Sequence, residues 1–321
     1  VKRILNTKML ENYKSETVGS KFIILLFIFM TEIKGIYAAG VSVLNDNLTL
    51  NIEKTINHAE NLIKQGCHGV VIFGSTGQAQ LISVSEKIQL INKLVYSDYK
   101  NSYIIGTGLN SLGETINLMT IAKSLGFKKY LIMPPAYYKY TDLDVINFYT
   151  QIIQKINDCK IILYNFEKLC GYKFSKSCVE KLAEKYPKQI IGLKDSTYNL
   201  YEKLNINNFS ILPGSEAKLL KGLEIGCSGI VSATCNVTAH LARNVYEDFQ
   251  KGNRQVWNEK LCKIRNIFDN YNLISGLHAF LSEKDNYYNN LLPPLSLLDK
   301  DNKIKLIKQL KKVDFKIDNI K

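Results

Sequence analysis

The chain has 321 residues, 46% of them hydrophobic and 22% charged, and carries a formal net charge of +13. That balance excludes a disordered or fibrous chain and predicts a packed core in one large domain or two small ones. The excess charge comes mainly from lysines scattered among Asn, Ile and Tyr, which is the pattern of solvated helix faces rather than of a nucleic-acid surface.

The N-terminal stretch, residues 1–29, reads as an extension. Lys2, Arg3, Lys8, Lys14 and Lys21 precede the apolar run Phe22–Phe29, as in a signal peptide, but the run is too short for an ordinary spanning helix. Met30 opens a segment, Met30–Gly40, that reads as a start leading into a first strand. A dispensable or mis-assigned extension is therefore expected in preference to a membrane anchor.

From Gly35 onward, short apolar runs alternate with amphipathic segments. Strands are expected at Ile36–Val41, Gly69–Phe73, Tyr103–Gly106, Lys129–Met133, Ile161–Tyr164, Ile190–Leu193, Ser210–Leu212 and Gly229–Val231, each apolar nearly throughout, as for strands buried on both faces. Helices are expected at Leu50–Gln65, Ser83–Val95, Leu112–Leu125, Asp142–Ile156 and Ser175–Tyr186. Ser83-Val84-Ser85-Glu86 has the form of a capping box, and Leu125-Gly126 that of a helix ending in glycine. Strand–helix alternation repeated eight times predicts an α/β fold, a (β/α)8 TIM barrel, over residues 30–236. A doubly wound sheet fits less well, because no G-x-G-x-x-G opens a helix after the first strand. Residues 237–321 are expected to form a C-terminal helical extension packed on the barrel, with helix over Val237–Ser282, a break at Leu292-Pro293-Pro294 and a last helix over Lys303–Val313.

The cysteines, Cys67, Cys159, Cys170, Cys178, Cys227, Cys235 and Cys262, are odd in number and form no C-x-x-C pair. The histidines, His58, His68, His240 and His278, lack metal-ligand spacing. Reduced thiols in the cytoplasm, no metal and no cofactor are expected.

In such a barrel, chemistry belongs at the C-terminal ends of the strands. Strand two ends in Gly74-Ser75-Thr76-Gly77-Gln78, where glycines let the backbone approach a ligand and amides and hydroxyls can hold a carboxylate. The P-loop lysine and spacing are missing, so a nucleotide is not indicated. Strand four ends in Pro134-Pro135-Ala136-Tyr137-Tyr138, strand five in Tyr164-Asn165, strand six in Lys194-Asp195-Ser196 and strand seven in Pro213-Gly214-Ser215-Glu216. A lysine ending an apolar strand is most often a surface group with a buried stem. In a partly dry site, desolvation instead frees its amine as a nucleophile. Tyr164 could be a rim aromatic, or a phenol that carries protons to and from a substrate.

Together these segments resemble the dihydrodipicolinate synthase / N-acetylneuraminate lyase family of class I pyruvate aldolases, from about Gly35 to Leu295. Gly74-Ser75-Thr76-Gly77 is similar to its G-[TS]-T-G loop, Tyr164-Asn165 to its Y-N motif, and Gly192-Leu193-Lys194-Asp195 to its G-[ILV]-K-[DE] motif. The resemblance implies that Lys194 forms an imine with pyruvate and that Tyr164 shuttles protons beside it. It implies that Ser75 links Tyr164 to Tyr137, which completes the relay in a neighbouring subunit of a homo-oligomer, dimer or tetramer. Gly74 and Thr76 would hold the carboxylate, and Val231 would offer a backbone carbonyl near the keto acid. Leu169 and Gly214 would border the second substrate.

Three departures bear on that substrate. Leu169 stands where synthase members carry a carboxylate-gripping arginine, which removes a bidentate contact. Gly214-Ser215-Glu216-Ala217 keeps only half of the Asp-Glu pair of the sialic-acid branch, and Gln78 replaces a common acidic residue. The expected activity is a lyase acting on pyruvate and a sugar-acid or other 2-oxo-acid aldol substrate. The alternative is 4-hydroxy-tetrahydrodipicolinate synthase, with Lys168 as a substitute cation. A non-catalytic barrel that binds 2-oxo acids is a third reading, less favoured because binding alone needs no proton relay.

Overall fold

The computed structural model describes residues 33–319, so the expectations for residues 1–29 lie outside the described range. Eight parallel strands form one sheet: β1 (Gly35–Ala39), β2 (Gly69–Ile72), β3 (Tyr103–Gly106), β4 (Lys129–Ile132), β5 (Lys160–Asn165), β6 (Ile190–Asp195), β7 (Ser210–Pro213) and β8 (Gly229–Ser232). Their spatial order is β7-β6-β5-β4-β3-β2-β1-β8. The two ends meet where Ser228 N donates to Ile211 O at 2.9 Å, which closes the sheet into the expected (β/α)8 barrel. Closure brings β8 hard against β1: a Cβ on Gly229 would lie 1.9 Å from the carbonyl oxygen of Gly35, so only glycine fits there.

The outer ring follows from local sequence. After β1 comes α1 (Ile52–Lys64), capped by Asn51, whose side chain accepts from Lys54 N at 3.0 Å. After β2 comes α2 (Val84–Leu94), opened by the predicted capping box of Ser83 and Glu86, a device worth about 1 kcal/mol. Glu86 also accepts from Leu50 N at 2.8 Å and so ties α2 to the segment before α1. The ring continues with α3 (Leu112–Ser124), α4 (Asp142–Lys155), the single turn α5 (Glu167–Cys170), α6 (Lys176–Lys185), α7 (Leu219–Glu224) and α8 (Cys235–Lys251). The apolar faces of these helices are buried against the strands; each large aliphatic side chain so covered contributes on the order of 1.5–3 kcal/mol.

Two stretches differ from expectation. Between β6 and β7, residues 196–209 contain no α-helix among the described residues. The Asp195 carboxylate takes the place of a helix there, accepting from Tyr198 N, Leu200 N and Tyr201 N, each at 2.9 Å, and thereby satisfying donors that a helix would pair. The stretch expected as further helix over Val237–Ser282 is resolved into three helices: α8, α9 (Asn258–Phe268) and α10 (Leu273–Leu281). Gly252, at φ +69°, ends α8 in the left-handed conformation, and Asn272 caps α10 by accepting from Ser275 N. The last helix, α11 (Lys300–Lys312), starts three residues earlier than expected because Asp299 caps it.

The C-terminal extension is tied to the barrel by buried polar groups as well as by packing. His58 Nε2 lies 2.8 Å from Asn236 Oδ1, which also accepts from Val41 N, so the histidine must donate there. Its Nδ1 then accepts from Tyr288 OH at 2.7 Å. Burial pushes both His58 and His278 down to about 4, which keeps them neutral near pH 7. The seven cysteines are free, and six of them are buried. Among the described residues no helix is long and apolar enough to cross a membrane.

Candidate active site

The register of β5 against β6 sets the geometry. Tyr164 pairs with Lys194 and Asn165 with Asp195, and because side chains alternate along a strand, each pair shares a face. Lys194 is 4% exposed, and its Nζ lies 4.2 Å from the centroid of the Tyr164 ring. Tyr164 OH is 3.3 Å from Ser75 Oγ. Three groups from three different strand ends thus converge on one point at the mouth of the barrel.

The second pair does a different task. Asn165 Nδ2 donates to Asp195 Oδ1 at 2.8 Å and to Asn199 Oδ1 at 2.7 Å, while its Oδ1 accepts from Phe174 N. Both side chains are fully buried. Asn165 and Asp195 are therefore structural: they anchor the loops that follow β5 and β6, and so hold Tyr164 and Lys194 in register.

The Gly74–Gln78 segment folds as a 3-10 turn over Ser75–Gly77, with Gln78 at φ +56°. Ser42 Oγ donates to Gly77 O at 2.7 Å, which pins the turn to the chain after β1. Gln78 is buried, and its Oε1 accepts from Leu292 N at 2.7 Å, so this residue tethers the extension to the turn. Thr76 is buried beside Ser75. A small cavity of about 20 Å³ opens here, lined by Phe73, Gly74, Ser75, Gly108, Met133 and Tyr164 among others.

The other candidates are placed as follows. Val231 is fully buried in β8. Leu169 is 45% exposed on α5, whose first residue donates from Glu167 N to Thr197 Oγ1 at 2.9 Å. Gly214 follows β7; its N donates to Asp195 O at 3.0 Å, and a Cβ there would meet Ser196 Oγ at 2.3 Å. Tyr137 is not brought to Ser75 within the protomer. It is 89% exposed, at φ +90°, and packs edge-on against Tyr138 with ring centroids 5.1 Å apart. A bulky side chain held in the left-handed region is strained and exposes a large apolar face. Among the described residues no cluster of three or more His, Cys, Asp or Glu could hold a metal ion.

The pairing of Glu216 with Arg265 was not foreseen. Glu216, fully buried after β7, is 3.2 Å from Arg265 Nη1 of α9 and accepts from Ser232 Oγ at 2.5 Å. Burial alone would raise the Glu216 carboxyl, but Arg265 and the hydroxyls of Ser232 and Thr234 outweigh it and hold it below the usual range. The only trace in the sequence is that Arg265 falls on the buried stripe Leu261, Ile264, Arg265, Phe268 of α9.

The dihydrodipicolinate synthetase family model matches residues 32–313. The chain belongs to the dihydrodipicolinate synthetase family. A 4-hydroxy-tetrahydrodipicolinate synthase of Methanopyrus kandleri is 29% identical over 88% of this chain and 97% of its own length. A synthase of the same name from Methanoculleus marisnigri is 30% identical over 64% of this chain and 71% of its own length, and an uncharacterized DapA-like lyase of Chloroflexus aurantiacus is 27% identical over 79% and 87%. The fold matches that of YagE from E. coli K12, solved in complex with pyruvate, with a TM-score of 0.79 at 23% identity, covering 88% of this chain and 99% of YagE. As a member of this family, the protein is a lyase of the class I aldolase type.

Proposed function

We propose that Lys194 forms an imine with the keto carbon of pyruvate and that Tyr164 moves protons beside it. The observation that carries the proposal is the buried Lys194 amine 4.2 Å from the ring centre of Tyr164, whose hydroxyl meets Ser75 Oγ. The amine attacks C2 of the 2-oxo acid, and the resulting carbinolamine loses water to give a protonated imine. Breaking the C3–C4 bond of an aldol sends its electron pair into the imine as an enamine, while the C4 hydroxyl proton leaves to a base and an aldehyde departs. Protonation at C3 and hydrolysis then return pyruvate and free Lys194. The condensation runs through the same steps in reverse. Gly74 and the Thr76 amide would receive the carboxylate, with the Val231 carbonyl nearby. Tyr137, exposed at the rim, would reach Ser75 of a second copy, so the working form would be a homo-oligomer.

For the second substrate we favour a sugar-acid or other 2-oxo-acid aldol. Residues 30–236 contain no arginine, and Leu169 offers no charge, so this barrel has no guanidinium fork for a second carboxylate. The names of the relatives favour 4-hydroxy-tetrahydrodipicolinate synthase as the second reading. A panel of sialic acid, 2-keto-3-deoxy sugar acids and 4-hydroxy-2-oxoglutarate, read by pyruvate release, tests the first. Condensation of pyruvate with aspartate semialdehyde tests the second, and turnover there with none in the cleavage panel would reverse the preference.

A further inference from the structure

The buried charges outside the imine site form one connected group. Arg265, on α9 of the C-terminal extension, is nearly fully buried and spends its guanidinium on four acceptors. Nη1 lies 3.2 Å from Glu216 Oε2, 3.0 Å from Ser232 Oγ and 3.5 Å from Gly214 O, and Nε donates to Asp269 at 2.8 Å. Glu216 in turn accepts from Ser232 Oγ and, at 3.3 Å, from Thr238 Oγ1.

Two of these contacts end beside the imine site. Gly214 also donates through its N to Asp195 O, the residue after Lys194, and has no room for a Cβ against Ser196. Ser232 directly follows Val231 at the C-terminal end of β8. A buried pair of opposite charges gains little net stability, because desolvation offsets the attraction. What such a group can do is fix geometry, since a planar fork satisfies several acceptors only in one arrangement.

We propose that Arg265 is a positioning residue for the Lys194 site, holding the ends of β7 and β8 so that Gly214 and Val231 meet the bound 2-oxo acid. The helical extension is then part of the binding apparatus, acting through Glu216, Ser232 and Gly214 rather than by touching substrate. This rests on the reading that Lys194 forms an imine with pyruvate.

Two variants test it. Arg265→Lys keeps the charge but offers one nitrogen where Arg265 uses two, so it cannot serve Asp269 and the Gly214–Glu216–Ser232 group together in the same arrangement. The double variant Glu216→Gln with Arg265→Met removes both charges and leaves no buried ion unpaired, so it guards against simple failure to fold. Each is titrated with pyruvate in the presence of borohydride, and labelling of Lys194 is read by mass, beside a thermal melt. The expected result is that half-maximal labelling needs about tenfold more pyruvate in both variants, while the maximal extent stays that of the wild type. A role in stability alone would lower the melting temperature and leave the half-saturating concentration within about twofold of wild type, which would overturn the proposal. Wild-type protein without label at Lys194 would overturn the imine reading and this one with it. Labelled wild type with unaltered variants would overturn only the placing of Arg265.

Discussion

Two lysines are buried in this barrel, and they have different surroundings. Lys87 lies on the apolar stripe of α2 with Leu90, Ile91 and Leu94, is 0% exposed, and donates to the Thr107 carbonyl at 2.8 Å. Its Nζ is 5.9 Å from the Phe73 ring, and burial pulls it down to about 8. Lys194 ends a strand with its Nζ over the Tyr164 ring, whose hydroxyl meets Ser75 Oγ. Its neighbours Tyr164 and Ser75 line the cavity. The contrast teaches that removing a lysine from water does not make it a nucleophile. An imine-forming lysine also needs an entry path for the carbonyl and a proton carrier beside it.

The largest effect expected is that of Lys194→Ala, which should reduce pyruvate-forming turnover about a thousandfold or more, because no other amine can form the covalent intermediate. Tyr164→Phe should lower turnover by about 10²–10³, measured at saturating substrate, while the pyruvate adduct still forms, since the phenol is placed to move protons rather than to bond carbon.

Lys87→Met should leave the adduct intact and show its effect in stability instead. The folded-state value of Lys87 lies below its ordinary 10.5, at about 8. The unfolded chain therefore binds more protons between those values, and the wild type gains stability as pH rises through that window. Urea unfolding should show the wild type gaining about 3 kcal/mol on the variant between pH 8 and 10.5. An unchanged difference across the window would mean that Lys87 is not desolvated. The smallest effect belongs to Ser75→Ala, a few-fold loss of turnover from one hydrogen bond of about 1 kcal/mol.

Most of the barrel was legible in the sequence because strands buried on both faces are apolar throughout, and a helix cap such as the Ser83–Glu86 box is a local signal. The convergence of Lys194, Tyr164 and Ser75 followed from where each stands at a strand end. The β6–β7 connection was not legible, because what organises it is one carboxylate, Asp195, accepting from three amides along the loop. Nor was the Glu216–Arg265 pair, whose members lie on different elements far apart in the chain. Tyr137 stands apart from Ser75 within the chain, exposed after the end of β4 and packed edge-on against Tyr138.

The central claim is that one lysine of this lysine-rich chain is the nucleophile. Incubating the protein with pyruvate and borohydride, then mapping the modified peptide by mass spectrometry, tests it most directly. The account predicts one reduced pyruvate adduct per chain, on Lys194, with Lys87 untouched. An unmodified Lys194, or an adduct placed on another lysine, would contradict it.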